Sequence, residues 1–233
     1  MIPKNEDLRK ELPHSFMFYE PKDVVSGDFP WLFKRGCFVY VAAVDCTGHG
    51  VPGAMMSVIG HLLMNDIVNN DNTPTPAELL NDLHEAVVST LKQGSDEGIA
   101  DGMDIALCRI CTETNELYYS GAHRPLYHLT NGEVVQYKGN KFPIGSDQYA
   151  HRTSFTDHVF TPAEGEEVYF FSDGLPDQFG VNGDRKFGPK RIRKMIAEKS
   201  DFTKMEDDFR AAYVDWKGDY NQTDDILLIG VKF

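Results

Sequence analysis

Four short runs set aspartate beside glycine or a second aspartate at the edge of an apolar stretch: Ser26-Gly27-Asp28, Val44-Asp45-Cys46-Thr47-Gly48-His49-Gly50, Phe171-Ser172-Asp173-Gly174 and Thr223-Asp224-Asp225-Ile226. Any one of them alone reads as aspartate bonding its own backbone in a turn or cap. Taken together they suggest more, because three abut strand-like runs that can hold a carboxylate firmly. If the runs converge, their carboxylates cannot share a pocket as anions without compensation. Ligands that are oxygen only suit hard divalent cations, and two ions of +2 would cancel four such charges.

The elements that must position these residues follow from periodicity and turn signals. Residues 15–20 and 37–44 are rich in Phe, Val and Tyr; the second run, bounded by Gly36 and the Gly48/Gly50 loop, delivers Asp45 at its end. Pro52 suits a first helical turn, and Met55, Met56, Ile59, Leu62, Leu63 and Ile67 recur with a helical period. Thr75-Pro76-Ala77-Glu78 is a capping-box pattern ahead of Leu79, Leu80, Leu83, Val87 and Leu91. Short β-type runs at 103–111, 115–120, 124–129, 133–138, 153–159 and 166–172 read as an antiparallel meander, with Asn131-Gly132 as a hairpin turn. Helices are expected at 188–198 and 203–217, and a last strand at 226–233. Strands, helix pair, strands, helix pair, strand does not alternate as βαβ, which disfavours a parallel doubly wound sheet and favours an α+β antiparallel sandwich with helices outside.

Composition bounds the function. The 233 residues, 41% hydrophobic and 25% charged, suit one folded domain with a sizeable core. Lys+Arg of 23 against Asp+Glu of 36 gives −13, which opposes nucleic-acid binding. The basic cluster at 185–194 reads as a solvated helix face. The cysteines, 37, 46, 108 and 111, show no extracellular disulfide framework, and Cys108-Arg-Ile-Cys111 lacks a second ligand pair for zinc. The longest unbroken apolar run, 37–44, is far short of the roughly 20 residues of a spanning helix, so no direct membrane insertion is expected. The start carries no secretory signal, and the expected location is cytoplasmic, either as a free protein or as the cytoplasmic part of a longer, membrane-linked one.

The runs Pro21-Lys-Asp-Val-Val-Ser-Gly-Asp28, Ala43-Val-Asp-Cys-Thr-Gly-His-Gly-Val-Pro-Gly-Ala54, Asp101-Gly-Met-Asp-Ile-Ala106, Tyr119-Ser-Gly-Ala122, Pro143-Ile-Gly145, Phe171-Ser-Asp-Gly174 and Gln222-Thr-Asp-Asp-Ile226 occur in order over nearly the whole chain. They resemble the stage II sporulation protein E branch of the metal-dependent PPM phosphatases, the type 2C protein phosphatases. The resemblance implies a four-layer α/β/β/α sandwich of two antiparallel sheets flanked by helix pairs over 15–233, with 1–14 as the remnant of an N-terminal connecting segment. It also implies hydrolysis of phosphoserine or phosphothreonine on a signalling protein, with an anti-sigma-factor antagonist as the expected substrate, two Mn²⁺ or Mg²⁺ ions as cofactors, and an upstream sensory or regulatory domain as partner.

Carried over residue by residue, the resemblance makes Asp45 the ligand bridging both ions, Cys46 a ligand through its main-chain carbonyl, and Asp173 and Asp224 further ligands. Asp28 lies at the site's edge, and Asp225 is a ligand or a capping group beside it. Such an ion pair, about 3.5–4 Å apart, lowers the pKa of a bridging water and neutralises phosphoryl oxygens. His49 is the candidate proton donor to the leaving alkoxide, although its spacing from Asp45 exceeds that of the animal enzymes. No counterpart of those enzymes' phosphate-binding arginine is found in 15–20; Lys22 and Arg124 are weak substitutes, and Arg124, in Gly121-Ala-His-Arg-Pro, reads as a surface turn residue. Two rival readings are a catalytically silent phosphoprotein-binding module, disfavoured because Asp45, Asp173 and Asp224 are all retained, and a hydrolase of small phosphate esters.

Overall fold

Along β-type segments of this chain, alternate side chains turn to opposite faces, and in the central runs 38–46, 103–111, 167–171 and 226–232 both faces are covered. In chain order the elements are α1 (Asn5–Glu11), β1 (Ser15–Glu20), β2 (Asp28–Arg35), β3 (Phe38–Cys46), α2 (Gly50–Asn70), α3 (Pro76–Lys92), β4 (Met103–Cys111), β5 (Leu117–Ala122), β6 (Leu126–Thr130), β7 (Glu133–Tyr137), β8 (His158–Phe160), β9 (Glu167–Phe171), α4 (Gly174–Asp177), α5 (Pro189–Glu198), α6 (Met205–Lys217) and β10 (Ile226–Lys232). The computed structural model describes residues 2–48, 50–70, 73–92, 101–145, 154–181, 183 and 185–233. Among them the strands form two five-stranded sheets, in the orders β1-β10-β9-β6-β7 and β2-β3-β4-β5-β8, with every pairing antiparallel.

Three apolar layers hold the sheets and helices together. On β3, Tyr40, Ala42, Val44 and Cys46 pack toward α2 and α3, meeting Met56, Met64, Leu79, Leu83 and Val87. Val39, Val41 and Ala43 point the other way, onto Phe170, Leu227 and Ile229 of the second sheet. The outer face of that sheet, through Phe16, Phe18 and Leu228, is covered by Ile192 and Ile196 of α5 and Phe209 and Tyr213 of α6. The result is the four-layer α/β/β/α sandwich that the resemblance implied. By length and composition alone α2 is apolar enough to cross a membrane, a signal that core helices also give; its Met56, Gly60, Met64 and Val68 are buried.

Local signals account for much of this. Thr75 and Glu78 close the expected capping box, the Thr75 N–H donating to Glu78 Oε2 at 2.7 Å and the Glu78 N–H to Thr75 Oγ1 at 3.3 Å. Asn131 and Gly132 both take positive φ, 51° and 78°, as the tight β6–β7 turn requires.

Two expectations change. The β-type runs after 103 are not one meander: β4, β5 and β8 belong to one sheet, while β6, β7 and β9 belong to the other, because the chain crosses between layers after each hairpin. Strand β2 adds an element beyond those expected from the sequence. It contains Pro30, which is tolerated because β2 is an edge strand with a single neighbour. Ahead of the sheets, α1 buries Leu8, and Leu12 just past its end is buried with it, in the layer between them, and Asn5 is tied to Met17 by reciprocal bonds of 2.9 and 2.7 Å.

Candidate active site

Register brings the first carboxylates together. Asp28 pairs with Asp45 across β2 and β3, and Asp45 pairs with Asp104 across β3 and β4. Alternation puts all three in phase with residues that face the opposing sheet, so they form one row at one end of the sandwich. Like charges directly opposite one another on neighbouring strands repel, and the row needs cationic compensation. From the opposing sheet, the end of β9 and the start of β10 supply the rest. Ser172 donates its N–H to the Leu227 carbonyl at 2.9 Å and accepts the Leu227 N–H on Oγ at 3.0 Å, which aligns Asp173 with the Asp224-Asp225 pair. The two connections touch so closely that a Cβ on Gly174 would lie 1.8 Å from the Asp225 carbonyl oxygen.

The resulting pocket, about 250 Å³, is lined by Asp45, Cys46, Thr47, Gly48, Met103, Asp104, Arg124, Pro143, Asp173 and Asp224. The Asp173 N–H donates to Asp45 Oδ2 at 3.3 Å, linking the two sheets at the site. Cys46 lines the pocket although its side chain belongs to the layer under α2 and α3. What it presents is therefore main chain, and burial holds its thiol well above the usual range.

Burial dominates the electrostatics of the carboxylates. It pushes Asp45 up to about 7, with Arg124 pulling in the opposite sense and Asp173 and Asp104 adding to the rise. Burial, followed by the charge of Asp45, also raises Asp28, and burial raises Asp224. Asp28 Oδ2 is buried without a hydrogen-bond partner among the described residues.

Arg124 is not a surface turn residue. Its side chain is 17% exposed, and its Nη2 lies 3.0 Å from Asp45 Oδ2, 2.9 Å from Asp104 Oδ2 and 2.8 Å from Asp173 Oδ2. The other oxygen of Asp104 meets His123 Nδ1 at 2.9 Å. Asp104 and His123 are thus site residues beyond the motif-derived candidates, and Arg124, expected as a weak phosphate-binding substitute in a surface turn, lies within the site. Asp104 is in phase with Ala106, Cys108 and Ile110 of β4, which face the opposing sheet, but alternation alone does not say which face turns inward; the β3–β4 register does. For Arg124 the sequence supports no more than that weak candidacy, because only the β5–β6 crossing carries it over the row.

The remaining candidates are placed as follows. Asp225 is 2% exposed and absent from the pocket lining; its oxygens accept the main-chain N–H of Lys22 at 2.7 Å and of Gly27 at 2.8 Å, pinning the β1–β2 connection. Asp28 is the outer end of the row, one strand beyond Asp45, and lines an adjoining apolar cavity of about 540 Å³. His49 lies outside the described residues. Lys22 offers its backbone to Asp225, and its side chain is not part of the pocket lining.

Replacing Asp225 by alanine strips a carboxylate from two buried amides and is expected to cost about 2–4 kcal/mol, visible as a lowered melting temperature of the metal-free protein. Asp225→Asn, which keeps one acceptor oxygen, should cost less. An unchanged melting temperature for the alanine variant would show that these bonds do not hold the loop.

The donor set suits hard divalent ions: the carboxylates of Asp45, Asp173 and Asp224 and the main chain at Cys46 offer only oxygen. No three described His, Cys, Asp or Glu groups are already arranged around an open ion position. The point at which three carboxylates do converge is held instead by a guanidinium nitrogen. A site that gathers this much negative charge around one cation fits the implied ions.

The sequence matches the family described as Stage II sporulation protein E (SpoIIE) over residues 37–233. None of the curated proteins matches it. Among solved structures, it is similar to the SiaA-PP2C domain of Pseudomonas aeruginosa, at 28% identity and a TM-score of 0.86, covering 98% of this chain and 89% of that one. The PP2C phosphatase domain of SpoIIE from Bacillus subtilis, solved with a fragment of its regulatory domain, is 14% identical with a TM-score of 0.72, covering 94% of this chain and 62% of that one. RsbX in complex with magnesium is 12% identical with a TM-score of 0.65, covering 94% of each chain. The two last resemblances establish fold.

Proposed function

This chain belongs to the stage II sporulation protein E (SpoIIE) family and has the fold of its PP2C-type phosphatase domains, and from that premise we propose that it is a metal-dependent serine/threonine phosphoprotein phosphatase. The observation that carries the reading is the convergence of Asp45, Asp104 and Asp173 from three separate stretches of chain, with Asp224 lining the same pocket. Asp45, Asp173, Asp224 and the carbonyl of Cys46 would hold two Mn²⁺ or Mg²⁺ ions, with Asp28 at the edge of the site. When bound, the pair supplies an activated water and charge compensation for phosphoryl oxygens.

The chain's own residues set the geometry of that chemistry. Asp45, fixed at the end of a central strand, is held against the amide of Asp173 and so fixes the spacing of the two sheets at the reaction centre. The pocket, about 250 Å³, lies at the end of the sandwich where the carboxylate-bearing strand ends meet, a volume that suits a phosphorylated side chain. Arg124 is the described cation that lines it. His49 is proposed as the proton donor to the departing serine or threonine oxygen. We assign the substrate as a phosphorylated signalling protein, an anti-sigma-factor antagonist in particular, and the control as an upstream regulatory segment joined through 1–14. The regulatory fragment solved with B. subtilis SpoIIE supports the second assignment, and the location proposed for the domain is cytoplasmic.

Turnover of phosphoserine and phosphothreonine peptides beside small phosphate esters, each with Mn²⁺, tests the substrate class. Phosphopeptides are expected to be hydrolysed with the higher kcat/KM. Hydrolysis confined to small esters would replace the protein-phosphatase reading with the rival one. A pull-down with Asp173→Asn identifies the phosphoprotein.

A further inference from the structure

Arg124 is held in place from its backbone outward. The Tyr119 hydroxyl donates to the Arg124 carbonyl oxygen, and the Arg124 N–H reaches the Ala122 carbonyl at 2.6 Å. The preceding residue, His123, donates its N–H to the Asn140 carbonyl at 2.8 Å. A Cβ at Gly121 would stand 2.4 Å from the Arg124 oxygen, so only glycine lets the turn close. This fixed loop aims the guanidinium into the carboxylate row.

What the guanidinium does there is unusual for a structural arginine. Carboxylates are ordinarily met by both arms of the fork, in bidentate pairs. Here Nη2 alone meets three carboxylates, and its two hydrogens go to Asp104 and Asp173, leaving Asp45 a purely ionic contact. Meanwhile Nε is buried with no acceptor among the described residues. A nitrogen shared by three anions beside an unpaired buried N–H describes a cation seated at a charge focus rather than a fork fitted to a partner. Two of those anions, Asp45 and Asp173, are proposed ion ligands, while Asp104 is not.

We propose that Arg124 is a built-in competitor for the metal ions, a place-holding cation that must yield Asp45 and Asp173 as they bind and that Asp104, itself braced by His123, retains beside the site. The inference rests on the two-metal reading above. It makes the metal-free row tolerable and weakens ion binding, so that occupancy responds to metal concentration.

Calorimetric titration of the chelator-stripped chain with Mn²⁺ tests it. Arg124→Met keeps the length of the side chain and removes its charge; it should bind Mn²⁺ at least about tenfold more tightly than the parent. Arg124→Lys, still cationic, should fall between the two, and the metal-free Arg124→Met chain should melt lower than the metal-free parent. A folded Arg124→Met chain with equal or weaker Mn²⁺ binding overturns the proposal, since that is the result of losing a scaffold. Should Arg124→Met fail to fold, the ¹⁵Nε–H signal of Arg124 in the parent decides: it should move with Mg²⁺ occupancy, and a signal unmoved at saturation overturns the proposal. Absence of any Mn²⁺ heat in parent and variant alike strikes down the metal reading itself.

Discussion

Asp45→Ala should reduce phosphate release to near background, by at least about 10²-fold, the scale set by loss of one preorganised electrostatic group. Asp45 occupies the middle of the row, paired in register with Asp28 on one side and Asp104 on the other, and it receives the Asp173 amide from the opposing sheet. In the role proposed for it, it would hold both ions, and its loss would remove the pair. Asp173→Ala and Asp224→Ala should be nearly as severe. Any two combined should add little, because residues acting as one unit are not additive. The same substitution should not destabilise the metal-free chain: the carboxylate it removes is buried among like charges, and Arg124 keeps Asp104 and Asp173 as partners. Steady-state kinetics with saturating Mn²⁺, together with melting curves of the stripped variants, check both halves. Retention of more than about a tenth of parental activity, a loss under roughly 1.4 kcal/mol, would take the bridging role away from Asp45.

Mn²⁺ should stabilise the parent strongly. A ligand that binds only the folded state adds RT ln(1 + [L]/Kd), about 2.7 kcal/mol at a concentration of 100 Kd. For a chain of this length that is a rise of roughly 5–10 °C in melting temperature. The rise should vanish in Asp45→Ala and return to the parental baseline with excess chelator. A parent whose melting temperature is indifferent to millimolar Mn²⁺ would mean that the carboxylates are satisfied by Arg124 alone.

What could be read in the sequence was what depends on neighbours along the chain. Strand β3 announces itself by an apolar run that ends at Asp45, the α3 start by Thr75 and Glu78, and the β6–β7 turn by Asn131-Gly132. Strand β2 was hidden by Pro30, since a proline argues against a strand unless it lies at a sheet edge, and edge position is a property of the assembled sheet. The carboxylates Asp28, Asp45, Asp173 and Asp224 were legible as aspartates at strand edges. Asp104 was not, because its membership depends on the β3–β4 register, and a shift of one residue would have turned it to the helix side. Arg124 was misread for a related reason. A residue in a Gly-Ala-His-Arg-Pro turn is exposed by default, and only the crossing from β5 to β6 between sheets places that turn over three carboxylates contributed by residues 45, 104 and 173.

The most direct measurement is phosphate release from a phosphoserine-bearing protein by the parent chain, first with saturating Mn²⁺ and then with chelator in excess of all divalent ions. Release with Mn²⁺ that stops with chelator and resumes when Mn²⁺ is restored is the expected result. Full release in the presence of excess chelator, or none at any Mn²⁺ concentration from a chain that binds the ion, would contradict a metal-dependent phosphoprotein phosphatase.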